Sequence, residues 1–216
     1  MTGLEKGKEL FEKQEFEKAI EPLNDFLATN QNNADALYTR AICYRKIEDF
    51  EKSVEDLTSI LVRLPNEPTL LCDRGISHFH NKNIEAAMRD MNKAVELDPE
   101  NPYRYSSRAY IRAKIDVDGA INDYKKAVEL DPKDAIALNN LGLIEENAGR
   151  IKSAQKRFKA SNEIIGYNPD KRNEKVEIQK QETSESLGKI MLNVFTSKAT
   201  RKEYFNFLKN VFKKKS

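Results

Sequence analysis

The side chains in this sequence that could do chemistry are two histidines, two cysteines and a few neighbouring carboxylates. His78 and His80 are two residues apart, so on a helix they point to different faces and do not form a shared metal site. Glu145 and Glu146 are adjacent, diverge in the same way and have no evident acid–base partner. These residues predict neither a metal centre nor catalysis.

Cys43 and Cys72 lie 29 residues apart, without a C-x-x-C pair or a secretory context, so we expect two reduced packing residues. The sequence contains no Gly-rich phosphate loop, no His-Glu-x-x-His and no Gly-x-Ser-x-Gly. We therefore expect no enzymatic activity, cofactor or metal. A charged N-terminus and the lack of any 18-residue apolar run predict a cytoplasmic protein.

Charge is distributed unevenly along the chain. The first 168 residues carry 25 basic and 29 acidic side chains, whereas the rest carry 12 and 6. The body is therefore net acidic and the C-terminal segment net basic. This asymmetry marks a compositional boundary near residue 168.

The elements that position these side chains follow an internal repeat of about 34 residues. Residues 91–99 and 124–132 both contain Lys-Ala-Val-Glu-Leu-Asp-Pro, 33 residues apart. Two antiparallel helices approach closely only where side chains are small, so recurring small residues predict the crossing point of a helical hairpin. They recur at two positions of every unit: Gly7, Ala41, Gly75, Ala109 and Gly142 at the eighth, and Ala19, Ser53, Ala87, Ala120 and Ala154 at the twentieth.

Larger residues recur beside these positions. An aromatic or branched residue near the turn between the two helices is expected to seal each hairpin, and a proline to end the second helix. The first set is Phe16, Phe50, Ile84, Val117 and Ile151; the second is Pro65, Pro99 and Pro132.

At these spacings the sequence resembles the tetratricopeptide repeat family over about three quarters of its length. The resemblance implies an all-α, right-handed superhelical solenoid of five antiparallel hairpins, at about residues 1–33, 34–67, 68–101, 102–134 and 135–168. The fourth unit is one residue short at its turn. In the fifth, Glu145 replaces the usual aromatic, which predicts looser packing or pairing with a basic residue of the C-terminal segment.

The resemblance also implies a function. Since the first helices of such hairpins line a concave surface, we expect a non-catalytic scaffold or adaptor that binds a peptide or helix of a partner protein there. Apolar side chains would anchor the partner, and asparagines would pair with its backbone. The expected lining is Tyr38, Ile42, Arg45, Cys72, Ile76, Phe79, Tyr110, Asn139, Asn140 and Leu143. Packing between hairpins is the alternative for Ile42, Ile76 and Phe79.

Residues 169–186 are charged and predict a linker or a solvated helix. Residues 187–216 predict two amphipathic helices, the second opened by a capping box at residues 200–203. Their apolar positions are Leu187, Ile190, Met191, Val194 and Phe195, then Tyr204, Phe205, Leu208, Val211 and Phe212. Burying these side chains would contribute at most about 15–30 kcal/mol, so we expect them to be covered.

What covers them is left open by the sequence. They could cap the last repeat, or dock to a partner or a second copy of the chain. The lysines at 213–215 also suit an anionic membrane or nucleic acid, which we favour less than a protein partner. The competing function is therefore a structural protein tethered to a surface by its basic tail.

Deleting residues 187–216 separates these alternatives. If the helices form a cap, the shortened chain will lose solubility or cooperative unfolding in urea. If they form a tether, the shortened chain will unfold cooperatively and will lose only its binding to anionic vesicles or nucleic acid.

Overall fold

The computed structural model describes residues 1–169. Nearly all of the predicted linker and both predicted C-terminal helices, with every residue expected to dock them, lie outside the described residues.

Residues 1–169 form ten α-helices and no strand, which confirms the all-α solenoid of antiparallel hairpins. Consecutive helices pair as α1 with α2, α3 with α4, α5 with α6, α7 with α8, and α9 with α10, and each hairpin packs on the next. The helices are α1 (Gly3–Glu12), α2 (Phe16–Thr29), α3 (Ala34–Lys46), α4 (Phe50–Leu61), α5 (Pro68–His80), α6 (Ile84–Leu97), α7 (Pro102–Arg112), α8 (Val117–Leu130), α9 (Ala135–Asn147) and α10 (Ile151–Ile165).

The small residues lie where the helices of each hairpin cross. All ten predicted positions are buried. A Cβ atom added at Gly75 would lie 2.9 Å from Met91 Cε, and one added at Gly142 would lie 2.6 Å from Phe158 Cε1. Ser53, the one polar member, shares a 2.8 Å hydrogen bond with Ser77 on the neighbouring hairpin. The predicted crossing points are confirmed.

The turns within the hairpins explain the short fourth unit. In the other four units one turn residue adopts a left-handed conformation, at Gln14, Glu48, Lys82 and Gly149. The fourth turn has no such residue and closes through Asp116, whose side chain accepts a hydrogen bond from Gly119 N at 2.9 Å. The deletion therefore removes the left-handed residue and leaves the helix cap intact.

The predicted seam and stop residues are confirmed in part. Half-buried residues begin the second helices of the first three hairpins: Phe16, Phe50 and Ile84. Val117 and Ile151, which begin α8 and α10, are exposed. The prediction that these two residues seal their hairpins is therefore wrong. The second helices end two to four residues before the three prolines, as proline requires.

A ladder of ion pairs, which the small-residue pattern did not predict, joins the hairpins. It consists of Arg40–Asp56, Arg74–Asp90 and Arg108–Asp123, with Nε and Nη2 donating to both carboxylate oxygens at 2.6–2.9 Å. In each pair Nη1 donates to the preceding second helix: to Asn24, Thr58 and Asn92 respectively. Each arginine thus ties its own hairpin to the one before it.

Replacing Arg40 with leucine tests the ladder. The Asp56 side chain is 7% exposed, so Arg40→Leu leaves a buried carboxylate without its cation. We expect the free energy of unfolding to fall by about 3 kcal/mol. Adding Asp56→Ala removes that charge, and the double variant should be at least about 1 kcal/mol more stable than the single one. Urea unfolding followed by circular dichroism measures both; a loss below about 1 kcal/mol for Arg40→Leu would show that water screens the pair.

Candidate functional site

The first helices of the hairpins, α1, α3, α5, α7 and α9, form the surface that we call the inner face. Among them, α1 packs against α3, and α5 packs against α7. All ten residues predicted to line a groove lie on α3, α5, α7 and α9. The inner face has two halves with different properties.

In the N-terminal half, polar side chains satisfy one another. Tyr38 Oη donates to Asp73 Oδ2 at 2.9 Å, and Arg45 Nη1 donates to Asp73 Oδ1 at 2.8 Å. Burial, and then the Asp73 charge, raise the pKa of Tyr38 to about 12. Because Asp73 already engages both side chains, Tyr38 and Arg45 tie α3 to α5.

Most of the predicted apolar lining residues of the same half are buried or half-buried in the core. Ile42 and Cys72 are buried, and burial raises the pKa of the Cys72 thiol. Ile76 and Phe79 are half-buried and pack against the same core. The structure thus places Ile42 and Cys72 among the packing residues.

The C-terminal half is open. Tyr110 on α7 and Leu143 on α9 are 48% and 46% exposed, Asn139 is exposed and Asn140 is half-buried. The Phe79 ring meets the Tyr110 ring edge to face, with centroids 5.4 Å apart.

Two further exposed residues were missed by the sequence reasoning. Tyr103 and Ile136, 53% and 74% exposed, precede Tyr110 and Leu143 by seven residues and lie on the same sides of α7 and α9. They occupy the second position of their units, so the repeat register could have identified them. We call Tyr103, Tyr110, Ile136, Asn139, Asn140 and Leu143 the exposed patch.

Polar groups lie between the apolar ends of this patch. On α9, Asn139 and Asn140 lie between Ile136 and Leu143. On α7, Ser106 lies between the two tyrosines, and its hydroxyl is the one buried side-chain oxygen in residues 1–169 that makes no hydrogen bond. Along α9 the patch therefore presents an apolar, polar, apolar order, and no member of the patch is charged.

The residues that could have done chemistry serve packing. The His80 ring stacks on Phe50 at 5.1 Å, and burial lowers the pKa of His78. Cys43 is free and buried, and burial raises its pKa to about 11. Within the described part of the chain, no group of three or more His, Cys, Asp or Glu side chains could hold a metal ion.

Glu145 corrects the expectation for the fifth hairpin. It is 1% exposed, accepts a hydrogen bond from Ser153 Oγ at 2.8 Å and lies 3.5 Å from Arg157 Nε. Its carboxylate is thus paired inside its own hairpin, by α10, and pairing with the C-terminal segment is not needed to explain its burial.

Comparison with protein families agrees with this architecture. Tetratricopeptide repeat models match residues 4–68 and 68–101, and a TPR repeat model matches residues 113–149. The chain belongs to the tetratricopeptide repeat family. No curated protein gives a significant sequence match to this repeat protein.

Solved structures resemble the fold of this tetratricopeptide repeat protein at low sequence identity. MamA from Desulfovibrio magneticus RS-1 is 19% identical, with a TM-score of 0.66 over 74% of this chain and 90% of its own. TTC0263, a thermophilic TPR protein in Thermus thermophilus, is 17% identical, with a TM-score of 0.63 over 81% and 96%. YrrB, a TPR protein with an unusual peptide-binding site, is 19% identical, with a TM-score of 0.57 over 73% and 82%.

The lengths and compositions of the helices also bear on membrane insertion. In residues 1–169 no helix has both the length and the apolar character that crossing a bilayer requires.

The raised pKa of Tyr38 predicts a pH dependence. The folded protein keeps this phenol neutral up to about pH 12, whereas the unfolded chain ionises near 10. The stability contributed by the neutral phenol is therefore intact below about pH 10 and is lost as the pH rises towards 12. Tyr38→Phe should lose stability less steeply over this interval. Urea midpoints of the two proteins between about pH 9 and pH 12 measure the difference, and parallel curves would contradict the assignment.

Proposed function

We propose that this protein is a non-catalytic scaffold that binds a segment of a partner protein on its inner face, chiefly at the exposed patch. The observation that carries this proposal is the exposure of four large apolar side chains, between 46% and 74%, around two asparagines. Aromatic and aliphatic side chains grouped in this way are typical of surfaces that another protein covers.

The chemistry of the patch supports a polypeptide ligand. Asparagine side chains both donate and accept hydrogen bonds, as the backbone groups of a peptide do. The patch extends over two helices, has no charged member and includes none of the described thiols or imidazoles, so it suits extended apolar contact better than an ion or a reactive substrate. The peptide-binding site named for YrrB supports the same use of the fold.

The two halves of the inner face divide their roles. Tyr38 and Arg45 both donate hydrogen bonds to Asp73 and fix the spacing of α3 and α5. They therefore contribute to partner binding mainly as a rigid surface. In the second half, the two asparagines have hydrogen-bonding capacity left for a ligand. We therefore place the main contact on α7 and α9.

The spacing of the patch favours a helical partner. Tyr103 and Tyr110, like Ile136 and Leu143, are seven residues apart, which is about 10 Å along a helix. An amphipathic helix lying along α7 and α9 presents apolar residues at the same seven-residue spacing, with polar residues between them. Such a helix would meet the apolar, polar, apolar order of the patch along its length.

The test uses the full chain and its Tyr110→Ala/Asn140→Ala variant. Partners are captured from cells on the wild-type protein, and the bound segment is then titrated against both proteins. Because the two substitutions remove an exposed aromatic anchor and an asparagine of the patch, we expect a loss of at least about 2 kcal/mol, or roughly 30-fold in Kd.

The matched control is Val117→Ala/Asn122→Ala, which truncates an exposed apolar residue and an exposed asparagine on α8. The control should bind like wild type, and all three proteins should unfold at similar urea concentrations. Partners that bind both variants equally well would show that recognition lies elsewhere on the chain.

A further inference from the structure

A second cleft lies between α4, α5 and α6, away from the inner face. Its volume is about 400 Å³, within the range of sites that hold a ligand group. Leu71 and Arg74 line it from α5, and helical spacing places Arg74 on the opposite side of that helix from Ile76 and Phe79. A molecule in this cleft would not compete for space with one on the exposed patch.

The cleft combines an apolar floor with a basic rim. Leu61, Val62 and Leu71 supply the floor, and Val62 is 77% exposed although it is a large apolar residue. Arg74, Arg89 and Lys93 supply the rim, against the single carboxylate of Asp90. His78, one turn beyond Arg74, has a pKa lowered by burial and adds no charge at neutral pH.

Two of the three cations lack a carboxylate partner. Arg74 belongs to the ladder and is held by Asp90. Lys93 Nζ donates at 2.8 Å to the backbone oxygen of Pro65, which leaves two of its hydrogens for a ligand. Arg89 is exposed and makes no ion pair or hydrogen bond within residues 1–169. Arg89 and Lys93 are therefore available to an anionic ligand.

The preceding repeat lacks these features although its framework is the same. There Arg40–Asp56 corresponds to Arg74–Asp90. The positions equivalent to Arg89 and Lys93 hold Glu55 and Ser59, and the position of Val62 holds Ala28. The equivalent surface is therefore acidic where the cleft is basic.

The following repeat also differs. The framework pair is Arg108–Asp123, and Asn122 and Glu96 take the positions of Arg89 and Val62. Lys126, the equivalent of Lys93, already pairs with Glu129 at 2.8 Å. The ladder is present in all three units, as packing between hairpins requires. Val62, Arg89 and Lys93 occur together at one of these surfaces only, so packing does not require them.

We propose that the cleft is a second binding site, which takes an acidic segment of a protein carrying an apolar side chain beside its carboxylates. The apolar side chain lies on Leu61, Val62 and Leu71, and the flanking Asp or Glu carboxylates pair with Arg89 and Lys93. The proposal is independent of the exposed patch, and it makes the protein an adaptor with two faces.

The same observations favour a peptide over other anions. A nucleic acid needs a long stripe of cations, whereas this rim has three. A free anion would gain nothing from the exposed Val62 side chain, whereas an apolar side chain of a peptide could cover it. A cleft with cations around apolar residues complements a short acidic and apolar segment in both charge and hydrophobicity.

The test begins with a random decapeptide library, capped at both ends, selected on the full-length protein. Peptides that also bind Arg89→Glu/Lys93→Ser are removed. These substitutions copy the preceding repeat, so the variant should fold like wild type. We expect the remaining peptides to combine Asp or Glu with Leu, Ile, Val or Phe.

A labelled peptide of the selected sequence is then titrated by fluorescence anisotropy. Binding to Arg89→Glu/Lys93→Ser should be at least about tenfold weaker. Val62→Glu, which copies the following repeat, should also weaken it, while Lys126→Ser, the matched control, and Tyr110→Ala/Asn140→Ala should bind like wild type.

Three results would overturn the proposal. One is a selected set without acidic residues, or no selected peptide at all. Another is loss of the peptide in Tyr110→Ala/Asn140→Ala, which would move the acidic ligand to the inner face. The third is binding to vesicles of anionic phospholipid that disappears in Arg89→Glu/Lys93→Ser while no peptide binds, which would make the cleft a membrane contact.

Discussion

The close approach of two helices at small side chains is the constraint on which the rest of this structure depends. At each crossing a side chain from the partner helix occupies the space that a larger residue would need, as Met91 does at Gly75 and Phe158 at Gly142. Since this contact recurs in five hairpins of residues 1–169, the hairpins have similar geometry and stack on one another. The inner face and the outer cleft both result from that stacking.

The ladder of arginine and aspartate pairs adds a second, electrostatic link between hairpins. Each guanidinium contacts two second helices at once, so it fixes the position of one hairpin relative to the next. Desolvation of the two charges offsets much of their attraction, so such a pair adds little net stability, although removing one partner is costly. In the fifth hairpin Leu141 and Arg157 stand at the two positions, and Arg157 lies instead beside the buried Glu145.

Because the hairpins share one framework, the positions at which a single unit differs from the others indicate residues that packing does not require. Positions that packing requires stay similar from unit to unit, whereas Tyr103, Ile136, Val62 and Arg89 depart from their equivalents and are exposed. Exposure of large apolar side chains in water is unfavourable, so a protein that keeps them grouped with free polar groups has a use for them. The two proposed contact surfaces lie on different helices, the patch on α7 and α9 and the cleft between α4, α5 and α6, which suits a scaffold that holds two protein segments at once.

The sequence by itself determined the helices, their pairing and the faces that cross, because small residues and prolines at a fixed period act through local geometry. It also placed Tyr110, Asn139, Asn140 and Leu143 on the inner face. Only the tertiary structure decided that Ile42 and Cys72 are buried, that Asp73 satisfies Tyr38 and Arg45, and that Val62, Arg89 and Lys93 share a cleft. These depend on how far one hairpin is displaced against the next, and that distance is set by packing between residues remote in sequence.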